Sequence, residues 1–139
     1  AVIIGEWKSP KGAASLSALR ADVLSIVMSG YVDSQTGVKL TNHLRHYLNE
    51  TTNVHTFWDL GPLTRYDADV RIQSIRVLLD HRRQIASMHA FGEAENVRLG
   101  IMTARIVLGE QLHNLHVYEQ RKLFDDALAA AVLVKPPAA

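Results

Sequence analysis

The sequence has no cysteine and no long hydrophobic run, and its charges nearly cancel. The absence of cysteine among 139 residues excludes disulfides, thiolate nucleophiles and cysteine metal sites. No apolar stretch approaches the roughly 20 residues that a membrane-spanning helix needs, and we find no signal-peptide pattern. The 15 basic and 14 acidic residues leave a net charge of +1, which creates no strong field for nucleic acid or an anionic membrane. We therefore expect a cytoplasmic protein without a nucleic-acid partner.

The rest of the composition is that of an ordinary globular protein. The hydrophobic fraction is 47% and the charged fraction 21%, both typical of soluble domains. A chain of this length matches the usual size of one domain with one hydrophobic core. We expect a single domain with its core over about residues 20–133 and a frayed tail over residues 134–139.

Short apolar segments alternate with segments of helical spacing. Val2–Trp7 and Asp22–Ser29 are rich in β-branched residues, which predicts two strands able to form an antiparallel opening pair. Ser9–Gly12 breaks the first strand, since it contains both proline and glycine. A helical turn over Ala13–Arg20 is the alternative. Later strands are predicted at Val54–Leu60, Ile85–Phe91 and His113–Tyr118.

Four segments have the spacing of amphipathic helices. The first begins near Ser34, a suitable N-cap beside Asp33, and the second covers Asp67–Arg83 with Asp67 as its N-cap. On the second helix we predict a buried stripe of Ile72, Ile75 and Leu79, widened by Val70, Val77 and Leu78. The other stripes are Leu40, Leu44, Tyr47 and Leu48; Ala94, Val97, Ile101, Ala104 and Leu108; and Leu123, Phe124, Ala127, Leu128 and Ala131.

The predicted order of elements is β-β-α-β-α-β-α-β-α. Strands that alternate with helices imply right-handed crossovers and a sheet that is largely parallel. The sequence therefore predicts an α/β fold with a mostly parallel sheet of four or five strands and about four helices.

No catalytic, cofactor or metal motif rises above background. Gly92 and Gly100 are too far apart for a phosphate-binding loop, and no GxSxG sequence offers a nucleophile elbow. His43 and His46 share a helix face, but a metal site needs further ligands that are not evident. His55 and His89 lie inside predicted strands, where we expect packed, hydrogen-bonded side chains. We expect a protein that is not an enzyme and holds no metal or cofactor.

The segment Asp59–Arg71 is the most informative part of the chain. A strand ends in Asp59-Leu60, a turn carries Gly61-Pro62, and a helix begins at Asp67. An N-cap at Asp67 and a favourable charge at Asp69 in the first turn explain both acids on structural grounds.

The order and spacing of the elements resemble the STAS domain, the fold of bacterial anti-sigma-factor antagonists and of the SpoIIAA-like (STAS/SEC14-like) family. The resemblance covers about residues 20–133, with local similarity in Ser29–Asp33 (SGYVD), in the strand ending Asp59-Leu60 and in Asp125–Leu128. In the antagonists, Asp-Ser-Ser-Gly opens the second helix, and a kinase phosphorylates one serine. Here Asp67–Val70 reads Asp-Ala-Asp-Val, so the resemblance does not carry over that switch. Asp69 stands at the phosphorylated position, with less negative charge than a phosphate.

Two functions follow as expectations from the resemblance. The first is a non-enzymatic regulatory or signalling module that binds a protein partner, and the alternative is a carrier or sensor of a small apolar ligand or lipid. Exposed edge strands also leave a homodimer open. The predicted partner-binding residues are Thr64, Arg65, Tyr66, Asp67, Asp69 and Arg71. The alternative predicts a cavity under the second and third helices, lined by Trp58, Ile72 and Ile101.

Overall fold

The computed structural model describes residues 1–134, which form one mixed β-sheet with helices on both faces. Every predicted strand and helix is present, and two further strands appear. The elements are β1 (Val2–Ser9), β2 (Gly12–Arg20), β3 (Val23–Val32), α1 (Ser34–Asn49), β4 (Val54–Leu60), β5 (Leu63–Tyr66), α2 (Ala68–Asp80), β6 (Ile85–Gly92), α3 (Glu95–Leu108), β7 (Leu115–Tyr118) and α4 (Arg121–Leu133).

The sheet has the order β1-β2-β3-β4-β6-β7, with β5 beside the second half of β3. The first three strands form an antiparallel meander, and the pairs β3–β4, β4–β6, β6–β7 and β3–β5 are parallel. The expectation of a mostly parallel sheet of four or five strands is therefore wrong in detail. The fold is α/β with four helices, but the sheet is mixed and seven-stranded.

The antiparallel half of the sheet explains most of that difference. Gly12–Arg20 is a strand rather than a helical turn, and it lies between the two strands that we expected to pair with each other. Ala14 and Leu16 point into the core, whereas the alternating residues are small and partly exposed. A strand built mainly from alanine and serine carries a weak hydrophobic alternation, so its period-2 signal is easily missed. The break at Ser9–Gly12 is a tight turn, in which Ser9 pairs with Gly12.

The second additional strand, β5, has only four residues. It pairs with β3 beyond the point where β4 leaves that strand, and Gly30 marks the change with a φ of 63°. A side chain here would meet the carbonyl oxygen of Lys11 as well as the strain of a positive φ, so glycine is required. β5 delivers the chain directly to the start of α2.

The helix starts differ from the prediction in which side chain caps which helix. Asp33, not Ser34, is the N-cap of α1, and its carboxylate accepts a hydrogen bond from the Thr36 backbone N–H at 2.9 Å. Asp67 occupies the N-cap position of α2, but its side chain makes no capping bond to that helix. The predicted second helix, Asp67–Arg83, is shorter in the structure and ends at Asp80.

Side chains on alternate strand positions point to opposite faces of the sheet, which we call the front and back faces. The front face carries Leu24, Ile26 and Trp58 and packs against α1, α2 and α3. The back face packs Val23, Phe57 and Phe91 against Phe124 of α4. No helix within residues 1–134 is long and apolar enough to span a membrane. Residues 135–139 of the predicted tail lie outside the described residues.

Candidate functional site

A cavity of about 70 Å³ lies on the front face, between the sheet and helices α2 and α3. Its floor includes Trp58 of β4 and Ala90 of β6, which are neighbours in the parallel register. Its walls include Ile75 of α2 and Ile101 of α3. The lining is almost wholly apolar, which is the usual character of a site for a small apolar molecule.

Small residues explain why the sheet and helices leave space here. Ala90, Gly100 and Ala104 all line the cavity, and none has a side chain long enough to fill it. Under α1, by contrast, the leucines of the predicted stripe fill the front face completely. Leu40, Leu44 and Leu48 are each 0% exposed. The cavity therefore results from the choice of residues on α3 and β6.

Only two of the three predicted pocket residues line the cavity. Trp58 and Ile101 line the cavity, but Ile72 does not, and 46% of its surface is exposed. On α2 the predicted buried residues Val70, Val77 and Leu78 are confirmed, and Ile75 and Leu79 are partly buried against the core. Of the predicted stripe, Ile72 alone is exposed. Close packing on α1 selects the buried face of α2, since a Cβ on Gly37 would lie 2.9 Å from Val70.

Two of the predicted partner-binding residues, Tyr66 and Arg71, also line the cavity. Tyr66 ends β5 and is half-buried, and its ring reaches α3 at Gly100, where a Cβ would collide with the phenolic oxygen. Arg71 lies in the N-terminal part of α2. On α3, Arg105 lines the opposite wall and is exposed. The aromatic and basic side chains thus border an otherwise apolar space.

Asp67 is engaged within the protein. Its carboxylate accepts hydrogen bonds from the Tyr31 hydroxyl at 2.5 Å and from the Ser34 backbone N–H at 2.8 Å. These bonds, that from Tyr31 first, lower the pKa of Asp67 below its ordinary value. Asp67 therefore joins the ends of β3 and β5 to the start of α1, and is not free to contact a partner in this arrangement.

The remaining predicted partner-binding residues are exposed near the carboxyl ends of β3 and β5. Thr64 donates to the Gly30 carbonyl oxygen at 3.1 Å, and Arg65 lies over the Tyr31 ring at 5.0 Å. Asp69 lies 3.5 Å from the Ser34 hydroxyl. The six predicted residues thus fall into three groups. Thr64, Arg65 and Asp69 are exposed, Tyr66 and Arg71 line the cavity, and Asp67 is a structural residue that hydrogen-bonds within the protein.

The back face holds a polar cluster. His55 and His89 are hydrogen-bonded, as expected of them, but their meeting in one cluster was not predicted. Ser87 Oγ lies 2.6 Å from His55 Nδ1 and 2.9 Å from His89 Nε2, and His89 Nδ1 lies 2.8 Å from the Tyr118 hydroxyl. We call these four residues the histidine chain. It crosses β4, β6 and β7 in cross-strand register, so residues about thirty positions apart meet.

His89 is a partly buried histidine at the centre of this cluster. Its ring stacks on Phe57 at 4.1 Å and on His116 at 4.8 Å. Burial, followed by the charges of His116 and His55, lowers its pKa to about 4. His89 is therefore neutral at pH 7, and a base this weak is poorly matched to proton abstraction from Ser87.

The paired histidines on α1 serve local contacts. The His43 ring packs against Trp7 in a tilted arrangement, with ring centroids 4.8 Å apart, and His46 lies 3.8 Å from Glu50 one turn on. Between residues 1 and 134, no three histidine, aspartate or glutamate side chains are arranged to hold a metal ion.

Comparison with known proteins supports the fold. The chain matches no protein-family model and no curated protein. Among solved structures it is similar to an uncharacterised protein of the DUF3478 family from Shewanella loihica PV-4, which has a SpoIIAA-like fold. The TM-score is 0.57 at 16% identity, over 91% of this chain and 92% of that one. The SpoIIAA-like fold expected from the order of elements is thus confirmed.

Proposed function

We propose that this protein is a non-enzymatic carrier or sensor that binds a small apolar ligand in the front-face cavity. The supporting observation is an apolar space beside Trp58 and Ile101 on a face whose other half is fully packed. When an apolar ligand covers the apolar lining of a preformed cavity, the free energy of the system falls, which favours binding. The cavity is smaller than the ~150 Å³ void that takes up benzene in a protein core. It therefore encloses only part of a long alkyl chain, and the rest of the chain lies along its open side or displaces side chains of the lining.

Trp58 provides a direct readout of ligand binding. The chain has two tryptophans, so the substitution Trp7→Phe leaves Trp58 as the sole indole. Titration of this background protein with 1-decanol should give a saturable change in Trp58 fluorescence. Ala104→Leu extends a side chain into the cavity and keeps a good helix former, so it should weaken binding about tenfold or more.

Met102→Leu is the matched control, because Met102 lies on the same helix but is 50% exposed and does not line the cavity. It should bind 1-decanol like the background protein. The absence of saturable binding, or unchanged binding by Ala104→Leu, would contradict the proposal. Native mass spectrometry of freshly purified protein gives independent support if a ligand is retained.

A second candidate function is capture of a regulatory protein partner at the exposed group Thr64, Arg65 and Asp69. The observation that favours it is the exposure of Asp69 in the first turn of α2, where no arginine or lysine of the described residues forms an ion pair with it. Asp69→Lys should abolish partner capture in pull-downs, whereas Glu110→Lys, an exposed change just after α3, should not. Equal capture by both variants would exclude this surface.

A further inference from the structure

Few polar groups border the apolar cavity, and three of them, Tyr66, Arg71 and Arg105, have free hydrogen-bonding capacity among the described residues. Ser74 is satisfied, since its hydroxyl donates to the Val70 carbonyl oxygen at 2.7 Å. The Tyr66 hydroxyl and the guanidinium groups of Arg71 and Arg105, in contrast, make no hydrogen bond or ion pair with any other residue between 1 and 134. Polar groups that are few and placed around an apolar pocket are the ones that fix a ligand's orientation.

Tyr66 and Arg71 lie toward one end of the cavity. Tyr66 is the last residue of β5 and Arg71 is in the first turns of α2, so both are near the carboxyl ends of the parallel strands. Ligands of open α/β sheets usually bind at this edge. Arg105 belongs to the other end, in the last turn of α3. Its charge there complements the helix C-terminus, which accounts for an arginine at that position without a ligand.

The residues that line the cavity extend along α3. Those on this helix run from Val97 to Leu108, a distance of roughly 16 Å at a rise of about 1.5 Å per residue. An apolar lining of this length, with Tyr66 and Arg71 as donors toward one end, is complementary to a single alkyl chain that carries a polar group at one end.

The chemistry of the two donors selects the charge of that polar group. An arginine guanidinium cannot accept a hydrogen bond, remains cationic at every accessible pH, and matches the geometry of carboxylate and phosphate oxygens. Bonds from such a donor to an anion are stronger than bonds to a neutral hydroxyl. A cationic head would be repelled. An anionic head thus gains the most at Arg71.

We infer that the ligand of the front-face cavity is an anionic amphiphile, a single alkyl chain with a carboxylate or phosphate head held by Arg71 and the Tyr66 hydroxyl. This inference rests on the proposed function, because it specifies the ligand of the same cavity. Arg71 supplies the charge, and Tyr66 supplies a second donor.

The test compares ligands that share one alkyl chain and differ in the head: decanoate, decyl phosphate, 1-decanol and decyltrimethylammonium. In the Trp7→Phe background, at least one anion should bind about tenfold or more tighter than 1-decanol, and the cation most weakly. Arg71→Gln should reduce the affinity for the anion to the level of that for 1-decanol. The affinity for 1-decanol itself should not change. Tyr66→Phe should cause a smaller loss. The tighter of the two anions identifies the head as carboxylate or phosphate.

Two further variants locate the effect. Arg76→Gln removes an exposed positive charge from the same helix outside the cavity, and Arg105→Gln removes the one at the far end. Neither should change the preference for the anion. If 1-decanol binds as tightly as both anions, or if Arg71→Gln keeps the preference, the inference is wrong while the proposed function stands. If no ligand of the series binds, the proposed function itself fails.

Discussion

The front face of the sheet is covered by three helices and still contains a cavity, whereas the back face is covered by α4 alone and is closely packed where that helix lies. On the front, small residues at Ala90, Gly100 and Ala104 leave the apolar surface incompletely filled. On the back, Phe57 and Phe91 contact Phe124. The number of covering elements therefore does not decide where a ligand can enter. The volume of the side chains at a few inward-facing positions decides where space remains for a ligand.

The polar groups of the two faces differ in the same way. The four residues of the histidine chain on the back face hydrogen-bond to one another, and each link lies between 2.6 and 2.9 Å. On the front face, Tyr66 and Arg71 border the cavity without a partner among the described residues. Satisfied polar groups hold strands in register, and unsatisfied ones beside an apolar space are available to a ligand. The proposed ligand site therefore lies on the front face, and the polar groups of the back face hold its strands together.

The largest expected effect on stability is on the back face. Phe124 is 1% exposed and is the only fully buried residue of α4 among those described. Phe124→Ala should lower the free energy of unfolding by about 3–5 kcal/mol, because it removes a buried ring and leaves a cavity. Urea denaturation measures this change. Leu123→Ala, at a neighbouring position that is 51% exposed, should change stability by no more than about 0.5 kcal/mol.

If Phe124→Ala costs no more than its control, α4 is not anchored by its aromatic contacts. The bidentate ion pair of Arg121 with Asp59, at 2.7 and 2.9 Å, would then be the main attachment of the helix. That result would also contradict the contrast between a closely packed back face and a front face that contains a cavity.

A matched pair of substitutions on the front face tests whether space is confined to the region under α2 and α3. Ala14 and Ala90 are both 1% exposed on front-facing strand positions, but only Ala90 lines the cavity. Ala14→Val should destabilise the protein by about 1–3 kcal/mol through overpacking. Ala90→Val should remain within about 1 kcal/mol of the parent, because its methyl groups enter free space. Thermal or urea unfolding measures both, and equal losses would show that the cavity is not available space.

The sequence was sufficient to predict elements with a strong local signal. Val54–Leu60 was predicted to the residue because it is rich in β-branched and aromatic residues and ends at Gly61-Pro62. The stripes on α1 and α3 follow one helical face each. β2 was ambiguous because alanine and serine give little alternation, and β5 was missed because it has four residues and depends on the free edge of β3.

The candidate site was less predictable, for reasons of tertiary packing. On α2, apolar residues surround much of the helix, so spacing alone predicted Val70 and Val77 as buried but did not show that Ile72 is exposed. The contact with Gly37 on another helix decides that question. The histidine chain takes no more than two residues from any one strand. Only the parallel register brings His55, Ser87 and His89 together, and no local motif signals it.

The smallest expected effect concerns pH and distinguishes the back face from the front. The pKa of His89 is about 4 in the folded protein against 6.5 for an unperturbed histidine, so between these values the unfolded chain binds more protons. Stability is therefore complete above about pH 6.5 and falls as the pH is lowered toward 4. Because the ring is only partly buried, we expect this histidine to account for about 1–2 kcal/mol after allowance for solvent screening.

His89→Gln isolates this contribution, since glutamine can hydrogen-bond to Ser87 but does not titrate. Urea unfolding at a series of pH values should show a shallower loss between pH 6.5 and 4 in the variant than in the parent protein. The lowered pKa values of Asp33 and Asp67 affect stability chiefly below this window, so they do not mask the difference. Parallel curves would mean that His89 is protonated as readily in the folded protein as in the unfolded chain. The histidine chain would then be a hydrated surface cluster and not the enclosed counterpart of the front-face cavity.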